Sequence, residues 1–139
     1  MIMEKSEAGF RELEHTADWQ LEVWAPDLPG LFAQAALGMY ELSGIRLDPA
    51  NRVSEELELE SHDHESLLVE FLHELLYLGE SRGLAFDEFN IKIEDAKLSA
   101  QVSGAAIADQ NKEIKAVTYH DLKIQEGPRG LEAKIVFDV

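Results

Sequence analysis

Leu67-Leu68-Val69-Glu70-Phe71-Leu72-His73-Glu74-Leu75-Leu76-Tyr77-Leu78 runs toward Gly83, and within a few residues the chain reads Phe86, then Phe89-Asn90-Ile91-Lys92-Ile93. In the first stretch Leu67, Leu68, Phe71, Leu72, Leu75, Leu76 and Leu78 recur at helical spacing and make a wide apolar stripe. In the second, Phe89, Ile91 and Ile93 alternate with polar neighbours, as a half-buried strand requires. The hydrophobic period thus changes from about 3.6 to about 2 near Gly83. It stays short to the last residue, through Leu98, Ala100 and Val102, through Ile114 to Ile124, and through Leu131, Ala133, Ile135 and Phe137. These predict an antiparallel set of strands with turns at Glu94-Asp95-Ala96, at Gly104 to Asn111 and at Gly127-Pro128-Arg129-Gly130.

Upstream, Asp63 caps the leucine-rich helix and Glu65 complements its dipole. Before it, Val53, Leu57 and Leu59 alternate with Glu56, Glu58 and Glu60, a strand with one acidic face. A first helix is predicted from Asp27 as cap, with Pro29 in its opening turn, an apolar series from Leu28 to Leu42 and a left-handed stop at Gly44. Its small Ala33, Ala35, Ala36 and Gly38 permit close approach to a sheet. Phe10 to Leu13 and Trp19 to Val23 read as two further strands. Together these elements predict one α+β domain over residues 1–139, a mostly antiparallel sheet with two helices packed on one face.

The chain has 139 residues, a length that buries one sizeable core. Its 28 acidic against 12 basic residues give a formal charge of -16. That balance argues against unaided binding to nucleic acid, which needs a basic surface to displace phosphate counterions. Cysteine is absent, which removes disulfides, thiolate zinc sites, iron-sulfur clusters and cysteine nucleophiles, and fits a reducing cytoplasm. No signal-peptide pattern and no apolar run of about 20 residues is present, so a soluble, cytoplasmic protein is expected.

The chain carries no Gly-rich phosphate loop, dinucleotide fingerprint, nucleophile elbow or acidic calcium loop. His73-Glu74-Leu75-Leu76-Tyr77 resembles the start of a zinc-protease motif, but Tyr77 stands where the second histidine is required, so His73 is read as a helix-surface residue. His62-Asp63-His64 is read as a polar helix start rather than a metal clip. Lys115 to Asp121 mixes polar types in a strand-like context, and reads equally as a site lining or a solvated edge strand.

The polar knot Glu14-His15-Thr16-Ala17-Asp18-Trp19 sits between the first two strands, and Phe137-Asp138-Val139 ends an apolar strand. A strand running to the last residue holds the Val139 carboxylate in place, and alternation sets Asp138 on the face opposite Phe137. If Asp18 lies at that end, its charge converges with those of Asp138 and Val139. Two unit charges about 4 Å apart repel by roughly 4 kcal/mol at an effective dielectric of 20. An all-oxygen site of this kind favours calcium or magnesium over zinc. Without that convergence Asp18 is a turn residue and Asp138 is solvated.

Five blocks, in order along nearly the whole chain, resemble the archease family. They are Glu14 to Asp18, Leu31 to Met39, Leu75 to Leu78, Glu113 to His120 and Phe137 to Val139. The resemblance implies an α+β fold of the strand-helix-strand-strand type. It also implies a non-enzymatic protein cofactor of the RtcB-type RNA ligase, which joins RNA ends in tRNA splicing and repair. Archeases promote guanylylation of the ligase histidine and multiple turnover. The family's metal site maps onto Asp18, Asp138 and Val139, and calcium is the ion associated with it. His15, Lys115 and His120 are expected partner contacts.

A broader chaperone of RNA-modifying enzymes such as a tRNA methyltransferase is the second expectation, and a small metal-dependent hydrolase at Asp18 and Asp138 the third. The chain departs from the family at Ala105, where an acidic residue often follows the glycine. It also lacks a histidine between Gly104 and Lys115, and has Trp19 where an aliphatic residue is common.

Overall fold

The structure, a computed structural model, describes residues 8–13 and 18–139. In order the elements are β1 (Gly9–Leu13), β2 (Trp19–Ala25), α1 (Leu28–Ser43), β3 (Arg46–Leu47), β4 (Val53–Glu60), α2 (His64–Arg82), β5 (Leu84–Glu94), β6 (Lys97–Asp109), β7 (Ala116–Val117), β8 (Gln125–Gly127) and β9 (Gly130–Asp138). This is the expected α+β architecture. The strands form two sheets: β1-β2-β9-β7 with β8 also on β9, and β3-β6-β4 with β5 also on β6. Every strand pairing among the described residues is antiparallel.

Both helices begin and end where their sequence says. The Asp27 carboxylate accepts from the Gly30 N–H at 2.9 Å, and that of Asp63 accepts from the Ser66 N–H at 2.7 Å. Each satisfies a backbone donor that the first helical turn leaves open. Gly44 and Gly83 close the helices in the left-handed region, at φ 66° and 67°. Gly38 is the close-approach position of α1: a Cβ there would lie 2.5 Å from a methyl of Leu21 on β2.

One core joins both helices to both sheets. Phe32 of α1 and Phe71 of α2 are fully buried with ring centroids 5.7 Å apart, and Phe71 meets Phe89 of β5 edge-on at 6.3 Å. The alternation of β2 and β9 delivers Leu21, Val23, Ile135 and Phe137 to the same core. The acidic strand keeps its predicted face: in β4 Leu57 is buried while Glu56, Glu58 and Glu60 are exposed. No helix among the described residues is long and apolar enough to cross a membrane.

Two sequence expectations change. Gly104 to Asn111 is not a turn: β6 continues through Gly104 to Asp109, because β5 pairs as far as Ala106 and β3 reaches Ile107 and Asp109. A Cβ on Gly104 would stand 1.9 Å from the Ala85 carbonyl oxygen, beside the bulge between Phe86 and Glu88. The glycine is there to let two strand backbones approach, not to turn the chain. The stretch Ile114 to Ile124 is not one strand either. Only Ala116 and Val117 join the ladder, after which Asp121 adopts φ 51° and β8 takes the next part of the β9 edge.

Candidate metal-binding tip

The register of β2 against β9 decides where the candidate residues fall. Trp19 pairs with Phe137, Leu21 with Ile135 and Val23 with Ala133. Asp18 and Asp138 are the next residues beyond the pair of Trp19 with Phe137, at the same end of the sheet, with Asp18 itself outside the strand. Phe137 is fully buried and Asp138 exposed, so the Asp138 carboxylate points away from the core, as period 2 requires. Asp18 is exposed as well.

On the other side of β9, β7 completes the arrangement. Ala116 pairs with Asp138 and Val117 with Phe137. The Lys115 N–H donates to the Asp138 carbonyl at 2.8 Å, and the Thr118 N–H donates to the Val136 carbonyl at 2.9 Å. Asp138 is therefore held by β7, one residue beyond the last pair that β9 makes with β2. Val139 is half-buried, its side chain packed against the core, which holds the last residue in place. Lys115 lies at this end and is exposed. Lys112 reaches back over the same end, its Nζ 6.0 Å from the centre of the half-buried Trp19 ring.

The other expected contacts separate from this group. His120 lies past Thr118, whose hydroxyl accepts from the His120 N–H at 3.2 Å. Its ring instead faces Asp121, with Nε2 3.3 Å from the carboxylate. His15, with the rest of Glu14 to Ala17, lies outside the described residues. Among the described residues no three His, Asp or Glu side chains gather at one point. The tip thus offers two side-chain carboxylates and main-chain oxygens, a donor set suited to a hard cation.

Two histidines and one ion-pair network make tertiary contacts that their sequence context does not show. The His64 Nε2 lies 2.7 Å from the Asp95 carbonyl and, facing an acceptor, donates to it, which ties the start of α2 to the β5–β6 turn. His62 stays at the capped helix start beside Asp63, at 3.5 Å. His73 is exposed on α2 as expected, yet its Nε2 accepts the Val117 N–H at 3.0 Å. On the outer face of the first sheet, Glu22 receives Arg11 and Arg129, Arg129 also reaches Glu132, and the Arg129 guanidinium stacks 4.0 Å over Trp24. Burial pushes the Glu22 carboxyl up, but the two guanidinium hydrogen bonds outweigh it and hold the group below the usual range.

Beside the tip, a groove of about 510 Å³ opens between the end of α1, α2 and the 110–115 loop, with Tyr40, His73, Tyr77, Ile107, Lys112 and Lys115 on its walls.

Comparison with known proteins agrees with this architecture. The chain is 35% identical over 125 residues to protein archease of Pyrococcus furiosus, covering 84% of this chain and 88% of that one. It is 33% identical over 141 residues to protein archease of Methanosarcina barkeri, covering 94% and 95%. Its fold is similar to the solution structure of Methanobacterium thermoautotrophicum protein 1598, with a TM-score of 0.71 at 25% identity over 94% of this chain and 99% of that one. It is also similar to the crystal structure of a Thermotoga maritima archease, described as a possible chaperone, with a TM-score of 0.68 at 30% identity over 93% and 96%. The profile of the archease protein family matches residues 10–139, and the chain belongs to that family.

Proposed function

We propose that this archease is a non-enzymatic activator of an RtcB-type RNA ligase, and that it acts through a divalent cation, calcium, held at the tip formed by Asp18, Asp138 and Val139. The observation that carries this reading is the β2–β9 register, which brings residues 120 positions apart in the sequence to one end of one sheet. The donor set fits a hard ion, and a bound cation offsets the repulsion that neighbouring carboxylates create. When bound, the ion supplies a positive centre that can engage a phosphate or a carboxylate of the partner. The chain's own part is to hold those oxygens in place: Asp138 by its pairing with β7, Val139 by its packed side chain. The charge of -16 suits a protein that meets RNA through its partner rather than directly.

The test is RNA ligation by the ligase with substrate in excess, comparing wild type with Asp18→Ala and Asp138→Ala. Loss of multiple-turnover stimulation in both variants is expected, and full stimulation by both would remove the tip from the mechanism. The description of the Thermotoga maritima relative as a possible chaperone favours a second reading, in which RNA-modifying enzymes such as a tRNA methyltransferase are clients. Affinity capture from the native cell separates the two by whether a ligase or a methyltransferase dominates.

A further inference from the structure

A two-residue edge strand has little of its own to keep it in place, yet β7 is the strand that pairs with Asp138. On either side of it, Lys115 and Thr118 donate to carbonyls of β9. The N–H of Val117, between them, bonds α2 instead, and the group that receives it is His73 Nε2 at 3.0 Å. A backbone N–H can only donate, so Nε2 is the acceptor and the ring proton resides on Nδ1. An imidazole on the surface of a helix thereby closes the open edge of a sheet, satisfying a donor that edge strands ordinarily leave to water or to another chain.

The geometry assigns His73 a role as a positioning residue: it clamps β7 onto β9 and so holds Asp138 and Val139 in the arrangement that binds a cation. The chain of contacts is short. His73 fixes Val117, Val117 is opposite Phe137, and the next residues of each strand, Ala116 and Asp138, are themselves paired, with Lys115 bonded to the Asp138 carbonyl. This rests on the reading of the tip as a cation site. The clamp exists only with neutral His73, because the imidazolium has no lone pair with which to accept.

The charged and titratable groups around His73 come from two elements and the loop between β6 and β7. Glu70 and Tyr77 stand one turn to either side on α2, with Glu80 further along the groove, and Lys112, Glu113 and Lys115 face it from the loop. Tyr40 of α1 lines the same groove, where β6 contributes only apolar Ile107. Among the described residues the ring's hydrogen bond is to the Val117 N–H, and that is the contact protonation breaks.

The test compares wild type, His73→Gln, whose amide oxygen can accept at any pH, and His73→Phe, which keeps a ring but no acceptor. Amide hydrogen exchange at Lys115 and Val117, corrected for intrinsic rates, is read at pH 7.5 and 5.5, with calcium affinity by calorimetry on the same samples. In wild type, protection of Val117 should fall roughly three- to tenfold at the lower pH, the weight of one hydrogen bond. In His73→Gln the fall should vanish, and His73→Phe should be unprotected at both. At pH 7.5 His73→Phe should bind calcium several-fold more weakly than wild type, and His73→Gln nearly as well as wild type. Equal protection in wild type and His73→Phe, or superimposable pH profiles for wild type and His73→Gln, would overturn the clamp. Unchanged calcium affinity in His73→Phe would overturn its link to the tip. If no sample binds calcium, the cation reading and that link both fail, while the exchange data still decide the clamp.

Discussion

At the scale of single residues, the apolar contacts and the polar tip do different work. Phe71 is fully buried and touches an aromatic ring from each of two other elements, Phe32 and Phe89. Phe71→Ala removes those contacts and opens a cavity that three surrounding elements cannot all close, so a loss of about 3–5 kcal/mol in denaturant unfolding is expected. That is comparable with the whole stability of many domains, and a loss under about 1 kcal/mol would mean the core does not pivot on this ring. Asp18 and Asp138 have no such packing role. Both are exposed, and on the proposed reading substituting either removes a ligand.

At the scale of elements, caps and alternation make most of the chain legible from its residues. Asp27, Gly44, Asp63 and Gly83 bound two helices because each side chain or left-handed φ satisfies local backbone groups, and local chemistry is readable in sequence. The course of the chain between Gly104 and Ile124 is not legible in the same way, because it depends on partners far away. Gly104-Ala105-Ala106 has the composition of a loop, yet β5 and β3 impose strand pairing on it, while Ile114 to Ile124 has strand-like residues but little free edge to occupy.

Half of the tip is legible, since Asp18 and the last two residues stand out as carboxylates beside strand ends. That Trp19 pairs with Phe137 is a property of the sheet and not of either segment. The role of His73 is hidden in the sequence because its partner, Val117, is 44 residues away and contributes only a main-chain N–H. The strand reading of Gly104 carries its own test. Gly104→Ala puts a methyl against the Ala85 carbonyl and Phe86 Cα, and should destabilise by roughly 1–3 kcal/mol. A turn at that position would tolerate alanine with little change in melting temperature.

At the scale of the whole molecule, the net charge and the ion pairs set the response to pH. Hydrogen bonds from Arg52 hold the Asp87 carboxyl below its ordinary range, those from Arg129 do the same for Glu132, and the Ser66 N–H and hydroxyl do so for Asp63. Carboxyls with lowered folded-state pKa contribute stability above their unfolded values, near about 4, and lose it as pH falls through the folded ones. The melting temperature should therefore drop as pH is lowered from about 4 to about 2. Arg129→Gln should lower it at neutral pH and flatten the acid fall, since Glu132 loses its partner and Glu22 keeps only Arg11. A melting temperature that stays level through that acid range would show that these pairs add nothing.

The molecule's distinguishing property remains that two stretches far apart in the chain meet at one end of a sheet, with Asp18 and Asp138 next to the last pair. Calorimetric titration of calcium into wild type, Asp18→Asn and Asp138→Asn tests this directly, because asparagine keeps the shape of each side chain and removes its charge. One ion bound by wild type, with binding much weakened in each variant, is the predicted result. Binding of equal strength in all three would contradict a cation site at the tip.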